Sequence, residues 1–198
     1  MKKILKEYIP QVILIVFSVV LGLYFNQILV DRNENAKAKE LMALVVEEIN
    51  SNRALIAEWH PYHDSIKLNF QLLKNDANFI ERFIEDKHTL VSTLFTRGKF
   101  MQQFPSTSAW EITKSNPLVS NINYENTKLI TDIYNVQNNM FNPVFKMFDL
   151  HNTTGMNKEQ LAKENLDIMY FHIKETVGRK LYYLELYDAA LAKIKVDN

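Results

Sequence analysis

The chain has 198 residues, 23 Lys and Arg against 23 Asp and Glu, and no cysteine. That length fits one domain plus an anchor. Balanced charge removes the basic face that nucleic acid requires, and the missing thiols exclude disulfides and thiolate metal sites while suiting an oxidising compartment. Only four Gly and five Pro favour long regular elements, helices over strands.

The first element is apolar. No charged residue occurs from Tyr8 to Val30, and 14 of residues 12–30 are Leu, Ile, Val or Phe. Twenty-one residues of helix at about 1.5 Å rise span roughly 31 Å, the thickness of a bilayer's hydrocarbon core. Residues 10–30 therefore read as one transmembrane helix, residues 1–9 as a short tail and residues 31–198 as a helical extramembrane domain. Tyr8 and Tyr24 are placed near the two interfaces. A cleaved signal peptide competes, but its apolar core is usually about 7–15 residues, and Tyr24-Phe25-Asn26-Gln27 is a poor cleavage context. The tail carries Lys2, Lys3 and Lys6 against Glu7, whereas the far flank mixes Arg32, Lys37 and Lys39 with Asp31, Glu34 and Glu40. The cation bias puts the tail in the cytoplasm and the domain on the periplasmic side of the inner membrane. Without the tail, residues 31–198 carry 20 basic and 22 acidic side chains, a formal net of −2.

Gln11, Ser18, Gly22 and Asn26 fall within roughly an 80° arc of this helix. Ser18 and Gly22 form a small-xxx-small pair that lets another helix approach, and Gln11 and Asn26 have amides able to bond across such a contact. The competing view is that small residues are common in spanning helices.

Residues 33–59 predict a helix continuing out of the membrane. Met42, Val45, Ile49, Asn52, Ile56 and Trp59 recur at alternating spacings of three and four, a coiled-coil-like seam. Leu41, Leu44 and Leu55 widen it, which favours the core of a bundle. Pro61 predicts a break or kink. A second stretch carries Ile66, Phe70 and Leu73, and a third covers residues 78–85. Residues 89–105 are less clear: Leu90, Val91, Leu94 and Phe95 have helical spacing, which Gly98 and Pro105 interrupt. Ser108 and Glu111 form a capping-box pattern starting a helix that stops before Pro117. Residues 124–150 predict a helix kinked at Pro143, followed by a loop over 151–155. The last and longest helix is expected from an Asn157 cap to about Lys195, with an apolar side that includes Leu161, Ile168, Met169, Ile173, Val177, Leu181, Leu184 and Tyr187. The fold expected is all-α: one transmembrane helix, then an elongated bundle whose long first and last helices pack together.

The segment QVILIVFSVVLGLYFNQ with the charged helix after it resembles the anchor of a family of small bacterial single-span membrane proteins, with Asn26 at the family's exit asparagine. Ala109-Trp110-Glu111, Asn116-Pro117-Leu118 and Ile133-Tyr134-Asn135-Val136-Gln137 are similar to a second pattern of that family. Gln11 stands for the usual acid, Ser18 for the usual Gly and Ile28 for a frequent Trp. The resemblance covers about a third of the chain. It implies a membrane anchor with an all-α domain, and no activity.

Candidate chemistry is sparse. His60, His63 and Asp64, with Glu58 nearby, have a metal-like composition, but a break at Pro61 would separate them and a polar turn is the bland reading, so no metal is assigned. His172 and Glu175 share a helix face, as a surface hydrogen bond would. His88 and His151 stand alone in expected loops, and Glu47-Glu48 reads as a solvated edge. Tyr170, Phe171, Tyr182, Tyr183 and Tyr187 read as core and rim. Serine-nucleophile patterns and phosphate-cradling loops are missing. The sequence therefore points to a membrane-anchored interaction or scaffold protein without enzymatic activity or cofactor, partnering other transmembrane or helical subunits or itself. An extracytoplasmic ligand-sensing bundle that signals through a partner is the alternative.

Overall fold

The computed structural model describes residues 2–194, with side chains from Tyr8 onward. The side chains of Lys2, Lys3, Lys6 and Glu7, and the expected helix end at Lys195, lie outside the described residues. Among the described residues seven α-helices follow in order: α1 (Lys2–Leu73), α2 (Ala77–Glu85), α3 (His88–Leu94), α4 (Ser108–Ser115), α5 (Tyr124–Met140), α6 (Asn142–Asn152) and α7 (Glu159–Lys193), with a 3-10 turn at Pro117–Asn121 after α4. No strand occurs among the described residues. The all-helical class and the long first and last helices are as the sequence predicts.

α1 is a single helix of 72 residues, about 108 Å long at 1.5 Å per residue. Side chains from Tyr8 to Lys37 are exposed apart from half-buried Ile28, and burial begins at Ala38. Among the described residues α1 is the one helix long and apolar enough to cross a membrane, and its apolar window is unburied. The break expected at Pro61 does not occur. Pro61 is exposed, while Trp59, Tyr62, His63 and Ile66 around it are buried. Proline removes one backbone hydrogen bond; packing on the inner face keeps the helix continuous through it.

α7 returns antiparallel along α1 in constant register. Arg53 forks onto Asp188, with Nη2 3.0 Å from Oδ2. Tyr170 donates to Gln71 Oε1 at 3.2 Å, and Lys74 reaches Asp167 at 2.5 Å. α5 and α6 pack on α7, and α2 touches its start. The core between them includes Ile49, Ile56, Phe70, Phe83, Ile130, Ile133, Leu166 and Ile173, all essentially inaccessible to solvent.

The connecting elements differ from expectation in four places. The helix expected over 124–150 is two helices meeting at Phe141, because Pro143 enters the first turn of α6, where its missing N–H is not needed. Ser108 does not cap α4 and Glu111 does not complete a box: Glu111 pairs with Lys114 at 2.6 Å instead. Asn157 is not the cap of α7, which starts at Glu159; its amide donates to Ile84 O at 2.8 Å and ties the loop to α2. The loop expected from His151 starts later, since α6 runs to Asn152. The helical spacing of Leu90, Val91 and Leu94 is realised in the short helix α3, and residues 96–107 cross the bundle without regular structure.

Candidate functional site

Two regions carry the residues available for function: the exposed amino-terminal part of α1 and the polar and aromatic interior where residues 95–107 cross the bundle. In the first, Gln11, Ser18, Gly22 and Asn26 are all exposed. Ser18 Oγ donates to Leu14 O at 2.8 Å within its own helix. A Cβ added at Gly22 would meet no atom within 4 Å. Gly22 and Glu58 stand about ten turns apart at 3.6 residues per turn, hence on one face of the helix, and Glu58 is exposed. Buried Ile56 lies about 160° further round from Gly22. The stripe thus points away from the side of α1 that carries the bundle.

Met42, Val45, Ile49, Asn52, Ile56 and Trp59, the seam of the sequence pattern, are all buried within the bundle. That face of α1 is covered by the chain's own helices, and Leu44 beside it is exposed.

The histidines resolve into separate roles. Because α1 continues through Pro61, His60 and Asp64 do share a face, with His60 Nε2 3.2 Å from Asp64 Oδ2 and Lys67 on the other carboxylate oxygen at 2.7 Å. His63 turns into the core instead. It is fully buried, stacks on Phe100 with centroids 4.0 Å apart, and its Nε2 donates to Phe100 O at 2.6 Å. Among the described residues no group of three His, Asp or Glu is placed to hold a metal ion. Neither His88 nor His151 is in a loop or alone: His88 begins α3, and His151, in α6, is buried, bonds Lys87 O at 3.1 Å and meets the His88 ring at 5.7 Å. Glu175 pairs with Arg179 at 3.1 Å rather than with His172. Burial, with Lys146 nearby, holds the His172 imidazole below its ordinary range.

Two residues of the interior escape the sequence reading. Glu48, taken there as a solvated edge, is half-buried and caps α4 from a distance. Its carboxylate accepts from Ala109 N at 3.0 Å, Trp110 N at 3.4 Å, Ser106 Oγ at 2.5 Å and Tyr134 Oη at 2.6 Å. Burial pushes this carboxyl up, but the four donors together bring it below the usual range. Anions are favoured at the positive end of a helix, so Glu48 replaces the capping box. Beside it, Asn52 pairs with Ser106 through both N–H (2.8 Å) and C=O (2.7 Å). Gln137 donates to the same Ser106 carbonyl at 2.9 Å and accepts from Tyr187 at 2.5 Å. These bonds fix the end of the crossing segment. No local pattern could have revealed Glu48, whose partners are about 60 or more positions away.

Lys180 is the second. Its side chain is fully buried, and its Nζ has no hydrogen-bond partner. The amine lies 5.2 Å from the Phe100 centroid and 5.8 Å from that of Phe141. Burial alone brings it from an ordinary value of 10.5 down to about 7. The sequence held a signal here, since Lys180 is seven positions from both Ile173 and Tyr187 on the inward face. The apolar side of α7 is correspondingly rotated from the expected one: Met169, Ile173, Val177 and Tyr187 are buried as expected, but Leu161, Ile168 and Leu181 are exposed, while Ala162, Leu166 and Lys180 are buried. Within the aromatic group, Tyr183 and Tyr187 are core, Phe171 and Tyr182 are exposed, and Tyr170 lies under Lys74 at 4.9 Å. Comparison with known proteins yields no relative: no protein-family model, no curated protein and no solved structure matches the chain.

Proposed function

We propose that the chain is a membrane-anchored helical interaction protein, an accessory subunit that holds its bundle against a membrane complex. The observation that carries the reading is the exposure of α1 before Ala38: Leu14 and Leu23 are 64% and 66% exposed, and the neighbouring apolar side chains are similarly open. Fourteen such residues at about −0.3 to −0.6 kcal/mol each favour lipid over water by several kcal/mol. In this reading residues 10–30 cross the inner membrane, with the tail in the cytoplasm and the bundle in the periplasm. The stripe of Gln11, Ser18, Gly22 and Asn26 packs against a helix of another subunit or of a second copy. Since the stripe faces away from the bundle, such a helix can approach without colliding with the folded domain.

Two measurements test this. The full-length chain should stay with vesicles through an alkaline carbonate wash; release into the supernatant would overturn the anchor. Gentle detergent extraction should yield a stoichiometric complex, and Gly22→Leu should weaken it without altering the melting of the bundle. An unchanged complex would overturn the role of the stripe while leaving the anchor standing.

A further inference from the structure

Residues 95–107 form a strap across α1 and α7, held at two ends. At its far end the Asn52, Gln137 and Glu48 bonds grip Ser106. At its near end the Tyr62 hydroxyl accepts from Arg97 N at 3.2 Å and donates to Lys99 O at 3.1 Å, and His63 holds Phe100 O. Phe100 is the wedge: it is 5% exposed, and its ring touches both the His63 imidazole and the Lys180 amine. An amine enclosed this way meets two ring faces but no hydrogen-bond acceptor; the attraction of the rings, about 2 kcal/mol, is less than the hydration that a buried, unpaired cation gives up.

We propose that Lys180 makes residues 95–107 an acid-released strap: charging its amine drives Phe100 from the core and lifts the near end of the strap off α1 and α7. The groups around it offer no competing relief. From α1, His60 is engaged by Asp64, and His63 stacks on the other side of the strap's Phe100 with its Nδ1 buried without a partner. From the strap, Arg97 lies over Tyr62 and Trp59 at 4.7 and 5.2 Å. Next to α6, Phe141 meets the amine with its ring at 5.8 Å, and Lys146 on that helix acts on His172. On α7, Glu175 is held by Arg179, and Tyr183 and Tyr187 are buried phenols. Lifting the strap exposes Phe95, Phe100 and Met101, a new apolar surface that exists only in acid. Because burial lowers the amine from 10.5 to about 7, release is favoured increasingly as pH falls between those values.

Hydrogen exchange of the full-length protein in lipid nanodiscs tests this, followed on peptides covering 95–107 and corrected for the intrinsic rate. Protection in the wild type should fall at least about tenfold between about pH 8.5 and about pH 5.5, while α7 peptides stay protected. Lys180→Met should keep the strap protected at both values. Lys180→Arg, which cannot lose its charge, should leave it unprotected at both. Equal wild-type protection at the two pH values overturns the proposal, as does a Lys180→Met protein with the wild-type pH response. If Lys180→Arg does not fold, the wild type and Lys180→Met alone decide.

Discussion

The Tyr134 hydroxyl donates to Glu48 Oε1 at 2.6 Å, joining α5 to α1 through the carboxylate that also caps α4. Burial pushes the Tyr134 phenol well up, and the neighbouring Glu48 charge pushes it further, so this proton stays on the tyrosine. Removing the carboxylate leaves a partly buried hydroxyl and the first N–H groups of α4 without an acceptor. Caps and charged hydrogen bonds of this kind contribute about 1–3 kcal/mol. Glu48→Ala should therefore lower the melting temperature by about 3–10 °C for a domain of this size, and Glu48→Gln by less. Circular dichroism melts of the detergent-solubilised chain measure both. Because the folded carboxyl is depressed below its ordinary 4.5, the contribution is complete above that value and is lost as pH falls through the folded one. The wild-type and Glu48→Gln curves should converge in strong acid.

Lys180 works in the opposite range. Its folded amine is depressed from 10.5 to about 7, so the unfolded chain binds the extra proton between those values. Stability should rise with pH there, by at most about 1.4 kcal/mol per unit. Tyr134, Tyr183 and Tyr187 are all raised by burial; their contribution is intact below 10 and declines above it, leaving pH 7 to 10 as the window to examine. Lys180→Met should flatten the slope and stabilise the bundle at pH 7 by on the order of 1–4 kcal/mol. Urea melts at several pH values give the slope directly. A slope unchanged in Lys180→Met would mean that another group carries it.

Gln137 joins the Asn52–Ser106 pair to Tyr187, with 2.5 Å from the tyrosine hydroxyl to Oε1 and 3.1 Å from Asn52 Nδ2 to the same oxygen. Gln137→Leu orphans the Tyr187 hydroxyl and one of the two Asn52 amide hydrogens, the other staying on Ser106 O, and should cost about 2–4 kcal/mol. Combining it with Tyr187→Phe removes one orphan together with its acceptor. The double variant should then be less destabilised than the sum of the singles by about 1 kcal/mol or more, a coupling that a double-mutant cycle in urea measures. Additive losses would show that the short contact contributes little.

What could be read from the chain follows from the range of the forces involved. The apolar run before Ala38, the inward seam from Met42 to Trp59 and the length of α7 all follow from periodicity, which is local. The Glu48 cap, the His63–Phe100 stack and the His88–His151 contact depend on chain segments brought together only by folding. A Ser-x-x-Glu pattern marked the start of α4 correctly even though neither residue caps it. Pro143 was legible as a disturbance, but whether it kinks one helix or begins another depends on Phe141 being buried at the joint. On α7 the large apolar residues pointed to a face centred slightly away from the true one, because a buried lysine and two alanines occupy inward positions that bulk alone would not select.

Pro61 gives the sharpest separation of local from tertiary effects. In an isolated helix an interior proline is about 3 kcal/mol less favourable than alanine, which is why it reads as a break. Here it is exposed, with Trp59, Tyr62 and His63 buried about it, and the packed face overrides the local preference. Pro61→Ala restores one backbone hydrogen bond and removes the ring without touching the core. It should raise stability, by about 1–3 kcal/mol less whatever rigidity proline contributes to the unfolded chain. Thermal and urea melts should both shift upward. A loss of stability would mean that the local bend introduced by the ring is itself needed to seat Trp59 and Tyr62, and that the helix is shaped by Pro61 rather than merely tolerant of it.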